Sequence, residues 1–292
     1  DDTLQSRTKW MVKGERTATK AHGASLDGLE LEPGLTAHQQ AFLYDRPMGY
    51  SGPSDCYECH AKEASDVRNS FHFQWDYTTD QVEGHETDTH GKVDILNNFC
   101  IAIPSNEPRC TQCHVGYGWK DATFDRETAD IDCMICHDTT GTYKKDPKTA
   151  GSINAAVDMT DVVLNAGEPS RQTCGACHYF AGGGDNVKHG DLASSLNDTT
   201  RDFDVHMGKD GGDMACQTCH KNDGDAYDHT MPGHGLTSQE GDVACSDCHG
   251  ETPHGGLLDT HAERVACQTC HIPACSRAMP PKTRWEGATA GL

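Results

Sequence analysis

Cys110-Thr111-Gln112-Cys113-His114 is one copy of a five-residue pattern that recurs along the chain. The same Cys-x-x-Cys-His spacing stands at Cys56, Cys59 and His60, at Cys133, Cys136 and His137, and at Cys174, Cys177 and His178. It returns at Cys216, Cys219 and His220, at Cys245, Cys248 and His249, and at Cys267, Cys270 and His271. Seven copies use fourteen of the sixteen cysteines. Two thiols at this spacing reach one edge of a porphyrin and add across its two vinyl groups, and the His that follows comes under the metal as an axial ligand. A Cys-x-x-Cys pair alone suits zinc or iron–sulfur sites equally well, but those do not require His in the fifth position. With 18 His in 292 residues, seven hits in seven would arise by chance about once in 10⁸ or more trials, so the pattern reads as seven sites of covalent haem c.

A chain of 292 residues ordinarily makes one large domain or two. Here apolar residues are 35%, aromatics only 7%, and there are 30 Gly. A core built from polypeptide alone would need more side-chain volume, so the porphyrins are expected to supply it. The expected fold is mostly short α-helices and irregular loops wrapped around a closely packed haem chain, with little β, and ordinary helix and strand frequencies do not apply. Residues 1–55 carry no motif and are expected to be an extended N-terminal segment. Residues 56–292 are expected to form the haem-packed domain, with a hinge near 140–170, where Asp146-Pro147 and Gly151-Ser152 signal turns. Short helices are expected over Ala61 to Arg68 and over Asp158 to Ala166, before Pro169, and turns over Pro47 to Pro53. The second and third motifs begin 23 residues apart and the sixth and seventh 22 apart. Such linkers favour neighbouring haems, because an extended residue spans at most ~3.5 Å.

The net charge is −21, from 45 acidic and 24 basic residues. That excludes a nucleic-acid interface, which needs a basic face, and disfavours docking on anionic lipid. It fits solubility, basic redox partners or metal ions. No run of 18 apolar residues exists, so no membrane span is expected. The chain opens Asp1-Asp2-Thr3, read as the start left after removal of a leader, and haem c is attached outside the cytoplasm. A periplasmic or extracellular location follows as an expectation.

Eleven His lie outside the motifs, more than seven six-coordinate haems would need on their far sides. His72 sits among Phe71, Phe73 and Trp75 and is the strongest candidate. His189, His206, His229, His234, His254 and His261 are candidates beside later motifs. His22 and His38 are N-terminal candidates, weighed equally against surface roles, and His85 and His90 stand in a polar loop and are weaker. Gly182-Gly183-Gly184 would let backbone approach a flat ring closely. Asp210-Gly211-Gly212-Asp213 and Asp223-Gly224-Asp225 could hold calcium, although they lack the full acidic spacing and read better as solvated turns. Cys100 and Cys275 remain. They could form a disulfide, make a single thioether to an unusual eighth haem, or stay free; an oxidising compartment favours the disulfide. Lys120, six residues past His114 in Gly116-Tyr117-Gly118-Trp119-Lys120, would by default be a surface charge. A neutral amine can also ligate iron, and desolvation beside a porphyrin favours the neutral form.

Several long runs resemble the octahaem tetrathionate reductase family. They are Asn97-Asn98-Phe99-Cys100, Ser105 through Lys120, Cys136-His137-Asp138-Thr139-Thr140-Gly141-Thr142-Tyr143, Lys188-His189-Gly190-Asp191, Asp204-Val205-His206-Met207, and Val265 through Pro273. The resemblance implies a periplasmic protein with closely paired haems and one active-site haem ligated by a lysine, which matches Lys120. Members reduce tetrathionate, nitrite and hydroxylamine. His72, His189, His206, His254 and His261 are similar to the family's distal ligands, and Tyr117, Lys188 and Arg109 are candidate pocket residues. The chain departs in having seven motifs rather than eight and in stopping about twenty residues after the last, where family enzymes continue. Two functions compete. One is an electron carrier of mostly bis-His haems, serving redox partner proteins or extracellular acceptors and able to assemble into filaments. The other is a terminal reductase acting at the Lys120 haem. A storage or scaffold role has no support beyond acidity.

Overall fold

The computed structural model describes residues 33–79, 83–86, 88–94, 103–104, 106–179, 184–185, 192–220, 229–230 and 243–272. His22, Cys100, Gly182, Gly183, Lys188, His189, His234, Asp223-Gly224-Asp225 and Cys275 lie outside the described residues. Among the described residues there are twelve α-helices of four to nine residues, two 3₁₀ turns and one two-stranded antiparallel sheet, Tyr77–Thr78 with Thr89–His90. This is the helix-and-loop architecture expected from the sequence.

Each helix is short because its ends are written locally. Ala37–Asp45 opens on a capping box between Thr36 and Gln39. Ala61–Asn69 stops where Ser70 turns extended. Met159–Leu164 starts on Asp158, whose Oδ1 accepts from the amides of Thr160 at 3.0 Å and Asp161 at 3.2 Å. Arg171–His178 begins with a second box between Ser170 and Thr173.

The apolar core is divided rather than continuous. Val67, Phe73, Val115 and Ile131 form one cluster, Trp75, Ile103 and Trp119 a second, and Met134, Val162 and Val163 a third. Motif cysteines pack on all three: Cys133 on the first and third, Cys110 and Cys113 on the second. Residues 138–167 fold back on themselves through bridges Asp138–Ala166 and Lys145–Ile153, and Tyr50 N donates to Thr160 Oγ1 at 3.1 Å. Across residues 243–272, which carry the last two motifs, Asp259 alone is buried. That stretch has no polypeptide core of its own. No helix among the described residues is long and apolar enough to cross a membrane.

Candidate functional site: the haem-binding motifs

Six of the seven motifs wind as one α-helical turn. The motif His amide donates to the carbonyl of the first Cys from His60 to Cys56 (2.9 Å), His137 to Cys133 (3.2 Å), His220 to Cys216 (3.0 Å), His249 to Cys245 (2.9 Å) and His271 to Cys267 (3.0 Å). Cys174 to His178 lie within helix Arg171–His178. One turn puts residues i, i+3 and i+4 on a common face, so both sulfurs and the imidazole point the same way.

The chain brings second imidazoles opposite these. Ring centroids are 6.0 Å apart for His178 and His72, 6.0 Å for His137 and His229, 6.1 Å for His249 and His206, and 5.7 Å for His271 and His254. A metal held between two imidazoles by bonds of about 2.0–2.1 Å would separate the centroids by about 6 Å, so the four pairs fit an iron between them. His38 and His60 line one cavity of ≈ 510 Å³ together with Cys56, Cys59, Cys133, Cys136, His137 and His229, and its remaining wall is largely apolar. The size is that of a cofactor pocket. Burial, with His60 beside it, lowers the His38 pKa, and burial takes His72 down to about 4, so His72 is neutral and its lone pair is available at pH 7. His137 Nδ1 donates to Gly167 O at 2.7 Å. A carbonyl only accepts, so the bond fixes the tautomer and leaves the Nε2 lone pair free for metal.

His206 is presented by a tight loop. Asp204 Oδ1 accepts from the amides of His206 and Met207, both at 2.9 Å, and Met214 N returns to His206 O at 2.9 Å. A Cβ on Gly212 would lie 2.7 Å from His206 O, which accounts for the glycine. The neighbouring acids serve this loop: Asp210 accepts from Arg201 N at 2.6 Å and Asp213 pairs with Arg171 at 3.0 Å. His261 stands exposed on helix Leu257–Ala262, and His220 is exposed after helix Cys216–Cys219.

The second motif departs from the others. Glu107–Cys110 is helical, but Thr111–Cys113 tightens to 3₁₀, His114 N donates to Thr111 O at 3.0 Å, and His114 itself is extended. Thr111 causes the change. Its wholly buried Oγ1 sits 2.7 Å from Glu107 O and 2.9 Å from Trp119 O, a side-chain bond that competes with the regular helical pattern. His114 therefore swings into a box of Phe73, Trp75, Trp119 and Phe124, with ring centroids at 5.0–5.5 Å and no exposed surface. Its Nε2 donates to Phe73 O at 2.6 Å. That nitrogen carries the proton and is committed to protein. Burial holds the His114 pKa near 4.

Beneath this box lies a buried polar network absent from the sequence reading. Asp132, fully buried, accepts from Tyr117 OH at 2.8 Å, Tyr143 OH at 2.7 Å, Ile135 N at 3.1 Å and Lys145 Nζ at 2.9 Å. Lys145 also donates to His114 O at 2.5 Å and Gly116 O at 3.0 Å. Burial, then the Asp132 charge, pushes both tyrosine hydroxyls far above their ordinary pKa, so they stay protonated. Tyr117 thus faces the network. Lys120 and Arg109 are exposed, Lys120 directly following the boxed Trp119. Lys92 was not anticipated. It stacks on Trp75 at 4.5 Å, and its charge acts on Cys110, Cys113, His72 and His178.

The mutual influence of cysteines from different motifs gives the order of the motifs in space. Cys56 lies near enough to Cys133, Cys113 to Cys177, and Cys174 to Cys216 for each thiol to shift the other's pKa. Cys136 acts electrostatically on both Cys174 and Cys177. Motif three therefore adjoins motifs one and four, and motif four adjoins two and five.

Comparison with known proteins agrees with haem c as the cofactor. Residues 55–138 match the family model for cytochrome c554 and c-prime. The crystal structure of an octahaem cytochrome c from Shewanella oneidensis is similar, with 44% sequence identity and a TM-score of 0.64, over 76% of this chain and 49% of that one. The chain thus spans about half the length of that structure. An uncharacterized protein of Archaeoglobus fulgidus is 24% identical over 226 residues, covering 59% of this chain and 73% of that protein. Paired sulfurs, facing imidazoles and these likenesses converge: the chain is a multihaem c-type cytochrome similar to an octahaem cytochrome c, and its cofactor is haem c.

Proposed function

We propose that the haem on Cys110 and Cys113 is the catalytic one, that Lys120 holds its iron, and that a sulfur or nitrogen oxyanion such as tetrathionate or nitrite is reduced there. One observation carries the reading: the Nε2 of His114 is bonded to Phe73 O inside an aromatic box, so this imidazole is turned into the protein and only its buried Nδ1 is left without a partner. Haem c supplies one-electron capacity and a Lewis-acidic iron position. The protein's part is positioning and charge. Thr111 ties Trp119 over His114, Cys110 and Cys113 pack on the same cluster, and Lys120 is the exposed residue that follows Trp119 in the chain. Lys120 must lose its proton to ligate. Lys92 supplies a fixed cation beside the two thioethers for the developing negative charge. Tyr117, through Asp132, and Lys145, through the carbonyls of His114 and Gly116, hold the loop in shape.

His60, His137, His178, His249 and His271, with His38, His229, His72, His206 and His254 opposite them, would make bis-His haems that carry electrons toward motif two by way of motif four. Attachment of haem c outside the cytoplasm supports a periplasmic or extracellular location, with soluble redox proteins as donors. The test is spectroscopic. The ferric protein should show a minor high-spin fraction that shifts on adding nitrite or cyanide. Lys120→Met should alter that fraction and abolish reductase activity while leaving haem content unchanged. A wholly low-spin spectrum, insensitive to added ligands, would sink the assignment.

A second reading concerns assembly. Leu257, Leu258, Val265 and Ile272 are exposed on the segment bearing motifs six and seven, Leu257 by 74%. An apolar face there suits self-association, extending to a filament. Electron micrographs and sedimentation at high concentration that show monomers alone would exclude it.

A further inference from the structure

The hairpin after His72 carries a cluster outside the facing imidazole pairs. His85, Asp88 and His90 each offer a ligand atom, all within 4.8 Å of one another. Asp88 N donates to His85 O at 3.2 Å, a turn that sets the two side chains together. Asp88 and His90 are two residues apart on an extended stretch and so share a face. His85 Nδ1 lies 3.1 Å from Asp88 Oδ2, and the two imidazoles stand at 5.1 Å and 81°.

The detail that points to a ligand is His90. Its Nδ1 bonds Asp94 Oδ2 at 2.6 Å, and Asp94 Oδ1 is itself held by Gly91 N at 3.1 Å. A carboxylate accepts, so Nδ1 carries a proton, and Asp94 with Asp88 beside it raises the His90 pKa. Yet Nε2 is buried without a hydrogen-bond partner, 3.7 Å from Asp88 Oδ2. Nε2 and the Asp88 carboxylate thus converge on one point, where a proton or a metal ion can sit between them. Carboxylate–imidazole–metal is the usual arrangement by which a second carboxylate orients a metal-binding His. The frame is fixed: Thr79 Oγ1 lies 2.8 Å from His85 O, and Thr89 Oγ1 donates to Asp76 at 3.2 Å.

We propose that His85, Asp88 and His90 bind one divalent ion of the zinc class, with Asp94 orienting His90 and water completing a tetrahedron. Two nitrogens and one oxygen suit zinc, whereas calcium would need six to eight oxygens. The ion pins the hairpin whose next turn holds Lys92 over Trp75, where Val93 N donates to Trp75 O at 3.2 Å. The site stands independently of which haem is catalytic.

The full haem-loaded protein is dialysed against micromolar Zn²⁺, and bound zinc is counted by elemental mass spectrometry. Wild type should retain one zinc per chain more than the double variant His85→Gln/His90→Gln. Asp94→Asn, which removes no ligand, should retain that zinc with affinity lower by about 10–100-fold. Equal retention by wild type and the double variant overturns the proposal. So does a loss of low-spin haem absorption in the double variant, which would make one of these residues an iron ligand. If the double variant does not fold, undiminished zinc affinity in Asp94→Asn overturns it alone.

Discussion

Lys145→Met should be among the most costly single changes in the protein. The Lys145 side chain is 3% exposed and its partner Asp132 is not exposed at all. The substitution keeps an aliphatic stem but removes donors at 2.9 Å to Asp132 Oδ2, 3.0 Å to Gly116 O and 2.5 Å to His114 O. Stripping one partner from a buried pair costs about 3–5 kcal/mol, because the remaining charge is uncompensated. Asp132 would keep Tyr117, Tyr143 and Ile135 N, which argues for the lower half of that range, about 3–4 kcal/mol. At about 2–4 °C per kcal/mol for chains near this size, the melting temperature should fall by about 6 °C or more. Guanidinium unfolding of the holo-protein, followed by far-UV circular dichroism, measures the loss if the denaturant slope is unchanged. Asp132→Asn alone should also destabilise, and Asp132→Asn/Lys145→Met should cost about 2–3 kcal/mol less than the two singles added. A loss under 1 kcal/mol for Lys145→Met, or strict additivity, would refute the pairing. Because Lys145 grips the carbonyls on both sides of Val115, the same variant should disturb the spectrum of the motif-two haem and leave the others alone.

Three further outcomes follow from the geometry. Gly116→Ala would put a Cβ 2.7 Å from His114 Cε1 and 2.9 Å from Phe73 Cε2, both inside a tightly packed box; a loss of about 1–3 kcal/mol by denaturant unfolding is expected. His72→Ala should turn one haem, that on Cys174 and Cys177, high-spin without lowering the pyridine-haemochrome count. Asp158→Ala removes the cap on Met159–Leu164 and should cost about 1 kcal/mol in thermal unfolding, with the visible spectrum unchanged.

What the sequence disclosed was chemistry repeated in register. A five-residue pattern fixes two sulfurs and an imidazole on one helical turn, so six of the seven sites follow directly from spacing. Boundaries written by local caps were legible as well: Ala61–Asn69 and Met159–Leu164 lie within a residue or two of the expected helices. The second motif was not legible. Its letters are the same, and its different shape comes from Thr111 bonding carbonyls four residues back and eight residues ahead. Partner imidazoles were named but could not be matched, since His72 faces His178 and His229 faces His137 across long stretches of chain. His38 shows the limit clearly. It read no better than His22, and only the fold, through helix Ala37–Asp45, sets it in the cavity with His60. Asp132 and Lys145 gave no signal, because a buried ion pair of distant residues has no periodicity.

The nearness of Cys113, Cys136 and Cys216 to Cys174 and Cys177 makes motif four a junction instead of a link in a line. In a line, each carrier must empty before the next arrives. At a crossroads, charge delivered singly by two arms can pool within one hop of the third. Reactions that break a bond with a pair of electrons need that second electron promptly, before a half-reduced product escapes.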